Sequence, residues 1–296
     1  MPTLKRDGAQ PAERPPDTAL QWQQARRILA IRLDNLGDVL MTTPALLCWQ
    51  AGIPLRLAYS RENPYRLLTD WAVEVEPHEM LRHEVRRQID LVARVAPRPR
   101  DDRLSFAVPQ GAHREALEKL VCRGIDPARP YVVIHPGASA ASRRYPPDLL
   151  AAALRKLTAW SGGDMPQLVF TGDAGEVALV EAIRLEIGPS VSLAGRLGLG
   201  ELAAVLDGAA LLLASSTGPV HLAAVFGTPV DLYALTNPQH APWKTPAVVL
   251  YHDVPCRYCY RSACSQTHHA CLRLLDEGAE IALLAPAALP PPAGGD

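Results

Sequence analysis

Residues 131–160, YVVIHPGASAASRRYPPDLLAAALRKLTAW, join a short apolar run to a helical pattern through a loop of small residues and arginines. The same unit recurs downstream. QLVFTG (167–172) is followed by GEVALVEAIRLEI (175–187), and VSLAG (191–195) by GELAAVLDG (200–208). ALLLAS (210–215) is followed by PVHLAAVFG (219–227), and PVDLYAL (229–235) closes the series. Strands separated by helices of this length need crossover connections, so the expected fold is α/β, a parallel sheet covered on both faces. Ligands of such sheets lie beyond the carboxyl ends of the strands, and the loops there are the ones to search for chemistry.

Upstream the pattern is sparser. ILAIRL (28–33) reads as a buried strand with a helix from Val39, and PLRLAYS (54–60) as a second strand. HEMLRHEVRRQIDLVARV (78–95) places Leu81, Val85, Ile89 and Val92 on one helical face, and APRPRDDR (96–103) is a linker. No element is assigned between that linker and Tyr131. The proline-rich 1–25 and the Pro/Ala/Gly segment 286–296 read as disordered tails, which leaves 26–130 and 131–285 as two domains.

Composition narrows the function classes. The 296 residues are 48% hydrophobic, enough for a sizeable core, and 30 basic residues nearly balance 31 acidic ones. That balance gives no electrostatic footprint for nucleic acid. No apolar run reaches the ~18 residues of a membrane span, and the start lacks a signal peptide's apolar segment. A cytoplasmic chain is therefore expected, with cysteines as thiols or metal ligands before disulfides.

Five loops could carry chemistry. In ASSTGPVHLAAVFGTP (214–229), Pro219 suits the first helical position with Gly218 as N-cap, and Gly227 suits the C-terminal cap. Ser216, Thr217 and Gly218 would let a phosphate approach the free amides of that helix start, with His221 in its first turn. An ordinary cap beside a solvated histidine fits equally well. In HPGASAASRRYPPDLL (135–150), Ser139 and an arginine, Arg143 or Arg144, could share a phosphate oxygen, or the arginines could simply be solvated. In TGDAGE (171–176), Glu176 could accept from a ribose or merely favour the helix dipole. In RLDNLGDVLMTTP (32–44), Asp38 is a candidate general base, though an N-cap role alone would explain it. The last loop gathers Cys256, Cys259, Cys264 and Cys271 with His268 and His269, either free thiols or a structural zinc site. Cys48 and Cys122 read as lone buried thiols. There is no P-loop, GRLGLG (195–200) lacks the dinucleotide spacing, and no Asp-x-Asp occurs.

Taken in order, RLDNLGDVLMTTPAL, HPGAS, RRYP, FTGDAGE, LAGRLGLGELAAVL and STGPVHLAAVFGTPV resemble glycosyltransferase family 9, which includes the lipopolysaccharide heptosyltransferases. CRYCYRSAC and HHACL match one branch of it. The resemblance is nearly continuous from Ile28 to Leu275. It implies a GT-B-like fold of two Rossmann-like domains, the acceptor bound by the first and a nucleotide-sugar by the second. It also implies metal-independent transfer with inversion, to a lipopolysaccharide-core or other surface-glycan acceptor, either free in the cytoplasm or peripheral at the inner membrane. No cofactor is implied beyond the nucleotide-sugar substrate.

By the same resemblance Asp38 is the base that takes the acceptor proton, and Arg143 stands where the family usually has a lysine facing the departing diphosphate. Ser139, Thr217, Gly218 and His221 match donor-phosphate positions, and Glu176 a ribose contact. Ser216 departs from the acidic residue that heptosyltransferases commonly carry to contact sugar hydroxyls. The first half is also short, 104 residues in 27–130 against 155 in 131–285. Two alternatives to an active transferase follow: a nucleotide-sugar-binding remnant with an internally deleted acceptor domain, and an interaction module built on the cysteine cluster.

Overall fold

A computed structural model describes Gln24 and residues 48–60, 66–73, 82–160, 166–233, 238–256 and 261–275. The chain forms two compact units, Met1–Asp102 and Arg103–Asp296. The second unit therefore starts before Tyr131, the expected domain boundary. The expected strand 28–33, Asp38 and, apart from Gln24, the two tails lie outside the described residues.

In the first unit β1 (Leu57–Ser60) and β2 (Asp70–Val73) pair in parallel, Leu57 opposite Asp70. Thr69 locks the entry to β2: Arg56 N donates to its Oγ1 at 2.8 Å, and its own amide donates to Arg56 O at 3.0 Å. Helix α1 (Glu84–Val92) starts at His83, whose Nδ1 accepts from Val85 N at 3.2 Å. The Tyr59 hydroxyl of β1 donates to the Arg87 carbonyl at 2.8 Å, and the Arg87 guanidinium stacks 4.4 Å from the Tyr59 ring centre. Within the helix expected over 78–95, Val85 and Ile89 are half-buried and Val92 is exposed.

The second unit opens with α2 (Ala112–Val121), followed by β3 (Tyr131–His135) and α3 (Pro147–Trp160). Next come β4 (Gln167–Phe170), α4 (Val177–Ile187), β5 (Val191–Ser192) and α5 (Leu199–Asp207). The chain continues through β6 (Leu211–Ala214), α6 (Gly218–Phe226), β7 (Val230–Tyr233), β8 (Ala247–Leu250) and α7 (Ala270–Arg273). The six strands are parallel in the order β5-β4-β3-β6-β7-β8.

Alternation along the strands builds two cores. Val132, Ile134, Leu168, Phe170, Leu211 and Leu213 face α3 and α4, meeting Leu150, Leu154, Val180 and Ile183. Tyr131, Val133, Val169 and Leu212 face the opposite way, onto Ala116 and Leu120 of α2, Val205 and Leu206 of α5, and Val220 and Ala223 of α6. Strands β3 and β6 are buried along their whole length, the mark of a parallel sheet covered on both sides. Helix α2 thus belongs to the second unit's core, which is why segment 103–130 joins that unit.

Candidate donor site at the switch point of the sheet

The strand order creates the site. From β3 the chain winds outward through β4 and β5, then returns to place β6 on the other side of β3. Loops leaving His135 and Ala214, which are opposite each other in register, therefore run apart and leave a crevice at the strand carboxyl ends. A pocket of about 460 Å³ lies there, and Ser139, Glu176 and Thr217 are among its lining residues. Three residues expected at a donor site, carried on three different loops, are brought together.

Glu176 is held from two sides. Its Oε2 accepts from Asp173 N at 2.9 Å while Asp173 Oδ1 accepts from Glu176 N at 3.0 Å, a capping box at the 3₁₀ turn Ala174–Glu176 that leads into α4. The helix-terminal and pocket-lining roles coexist in one side chain. Its other oxygen lies over Gly137, where a Cβ would sit 1.8 Å from Oε1. The two loops approach this closely only because residue 137 lacks a side chain. Beneath them, buried His135 contacts Thr171 Oγ1 through Nδ1 at 2.9 Å and has Nε2 3.8 Å from Glu176 Oε2. Burial lowers the His135 pKa against the opposing pull of Glu176 and Asp173, which favours the neutral imidazole.

At the start of α6 the cap differs from expectation by one residue. Thr217 is the N-cap in extended conformation, Gly218 is the first helical residue, and Gly227 ends the helix in the left-handed region at φ 76°. The Thr217 side chain makes no capping bond. The hydroxyl is thus not committed to the helix start, where unsatisfied amides favour an anion. Ser216 is half-buried and Gly218 and His221 are exposed, and none of the three lines the pocket.

On the facing loop the 3₁₀ turn Ala141–Arg143 separates the two arginines. Arg143 does not line the pocket directly; its Nη2 donates to Ser139 Oγ at 2.8 Å. Arg144 does line it, with Nε donating to the Ala138 carbonyl at 2.8 Å. The turn is held from outside by the cysteine-bearing segment. Ser142 N donates to Ser262 O at 3.1 Å, Ser142 Oγ donates to Arg261 O, and His269 Nε2 meets Ser142 O at 2.9 Å. Arg273 of that segment pairs with Asp148 at 3.1 Å, and Leu272 is buried in the core.

Cys256, Cys264 and Cys271 are half-buried and not disulfide-bonded, and Cys259 lies outside the described residues. Among the described residues no group of three His, Cys, Asp or Glu side chains could hold a metal ion. Cys48 and Cys122, expected to be buried, are half-buried and exposed. Among the described residues no helix is long and apolar enough to cross a membrane.

His135, Thr171, Asp173 and Leu197 also line the pocket and were not expected from the sequence. The first three flank the expected residues at strand ends, and strand-end position is the signal that could have found them.

The profile of glycosyltransferase family 9 (heptosyltransferase) matches residues 35–270. The solved structure of a family 9 glycosyl transferase from Veillonella parvula is similar with a TM-score of 0.69 and 18% identity, over 82% of this chain and 70% of that one. Escherichia coli ADP-heptose lipopolysaccharide heptosyltransferase II is similar with a TM-score of 0.57 and 22% identity, over 72% of this chain and 66% of that one. No curated protein matches the sequence. The fold is the α/β, GT-B type of these glycosyltransferases, and the chain belongs to glycosyltransferase family 9.

Proposed function

We propose that the chain transfers a sugar from a nucleoside-diphosphate sugar to a glycan acceptor, with the donor held in the crevice between the ends of β3 and β6. The observation that carries this reading is the convergence of Ser139, Glu176 and Thr217 on one pocket at the switch point. Thr217 and the α6 start suit the diphosphate, together with Ser139 and the arginine bonded to it. Glu176 suits a ribose hydroxyl. The name of the Escherichia coli relative makes ADP-heptose the first donor to test.

In the reaction Asp38 takes the proton of the acceptor hydroxyl, and that oxygen forms a bond to the anomeric carbon from the face opposite the diphosphate. The carbon–oxygen bond to the diphosphate breaks, and the nucleoside diphosphate leaves with both electrons. The configuration inverts. Arg143 and the helix start offset the charge that develops on the leaving group, so no metal is required. The acceptor is a lipopolysaccharide-core or other surface glycan, met in the cytoplasm or at the inner membrane surface.

The test is sugar transfer from ADP-heptose to lipopolysaccharide-core acceptors. Asp38→Asn is expected to reduce turnover by ~10²–10⁴-fold with ADP affinity unchanged. Wild-type turnover in that variant would reduce Asp38 to an N-cap, since Asn caps as well as Asp.

A second reading has its own support. The chain spans 70% and 66% of the lengths of the two relatives, and its first half is the shorter one. On that reading it binds nucleotide-sugar without completing transfer, and the same assay would return donor binding with no glycosylated product.

A further inference from the structure

Beside the outer edge of β5 lies a second concavity, of about 570 Å³, which shares no lining residue with the donor pocket. Three guanidinium groups border it: Arg123 just after α2, Arg184 on α4 and Arg196 after β5. The one carboxylate in its lining, Glu181, is bonded to Arg184 at 2.7 Å. Three positive charges therefore face one negative charge.

Two of these arginines have a structural task. Arg123 Nη1 donates to Ser192 O at 2.7 Å, and Arg184 donates to the Ser190 hydroxyl at 3.2 Å and to the Ser190 carbonyl. Both cover carbonyls that an edge strand leaves unpaired. Edge protection does not account for Arg196. Its carbonyl accepts from Lys119 Nζ at 2.7 Å, but its exposed guanidinium has no protein partner among the described residues. The cluster is also electrostatically unfavourable as it stands. Burial and then the charges of Arg196 and Arg184 lower the Arg123 pKa from its ordinary value.

A concavity of this size takes a small molecule rather than a bare ion. Guanidinium forks match phosphate oxygens, and the Ser192 hydroxyl, which accepts from Ala194 N at 3.4 Å, has its proton to donate to a polyol. We propose that this concavity binds a phosphorylated small molecule of sugar-phosphate size, its phosphate held by Arg196 together with Arg123 and Arg184. The site is separate from the donor pocket, so both can be filled at once.

The experiment is calorimetric titration of the full chain with ADP and with glucose 6-phosphate, the latter in the absence and in the presence of saturating ADP, with glucose as the control. Saturable binding of the phosphate ester but not of glucose is expected. Arg196→Gln should weaken it about tenfold or more, as for a lost charge-assisted contact, with ADP affinity and thermal midpoint unchanged. Arg123→Gln should weaken it in the same direction. The proposal is overturned by absence of saturable binding, by its loss when ADP saturates the donor pocket, or by equal affinity in wild type and Arg196→Gln. Since ADP binding is read in the same titrations, failure here is distinguishable from failure of the donor site.

Discussion

A methyl group on Gly137 would occupy the space of the Glu176 carboxylate. Because that carboxylate ends a flexible side chain, the fold should survive Gly137→Ala while Glu176 leaves both its capping box and the pocket. ADP affinity is expected to fall several-fold with thermal stability changed by no more than ~1 kcal/mol, the worth of a cap; unchanged affinity would show that Glu176 does not contact the nucleotide. A second residue sets pH behaviour. Asp231 on β7 is fully buried with neither carboxylate oxygen hydrogen-bonded among the described residues, and burial pushes its pKa up to about 8. Between roughly pH 4, where the carboxyl ionises in the unfolded chain, and pH 8 the folded state holds one proton more than the unfolded state. Stability should therefore fall as pH rises through that window, by up to about 1.4 kcal/mol per unit. Denaturant titrations at pH 5 and pH 8 should show that slope in wild type and lose it in Asp231→Asn. An equal slope in both would mean that Asp231 ionises freely in the fold.

At the scale of elements, the 3₁₀ turn Ala141–Arg143 is gripped on its outer side by residues 261–269. Ser142→Ala removes the side-chain bond of that grip and should cost stability about 0.5–1.5 kcal/mol. It should also weaken ADP binding, because Arg143 is the next residue; Ser142→Thr should restore both. Loss of stability without loss of affinity would mean that the turn holds Arg143 unaided. The elements that position the donor pocket were legible because β3, β4 and β6 are mainly apolar runs separated by helices with clear periodicity. Other elements were not legible. Helix α2 buries Ala112, Ala116 and Leu120, two of them alanines that hardly stand out among charged neighbours. Strand β2 is four residues and begins with an aspartate, and β8 is a four-residue run, AVVL, with no helical pattern leading into it. At the site, Ser139, Glu176 and Thr217 could be read from loop position, whereas the different placements of Arg143 and Arg144 depend on a 3₁₀ turn held by a distant segment.

For the molecule as a whole, the packing of α2 against α5 and α6 sets a protease-sensitive boundary ahead of α2 rather than at Tyr131. Cleavage is expected near Arg103, within the linker, and the resistant fragment should keep Ala112–Val121. A resistant fragment beginning at Tyr131 would contradict the placement of α2 in the second core. The second unit contains every donor-site residue named here, so the proposed donor binding belongs to that unit alone. The most direct measurement is calorimetry of ADP binding to the whole chain with and without EDTA, repeated for Arg143→Ala. Binding that is unaffected by the chelator and weakened by ~1.5–3 kcal/mol in the variant is the predicted result. Binding abolished by EDTA, or equally tight without Arg143, would contradict a metal-free diphosphate site at the ends of β3 and β6.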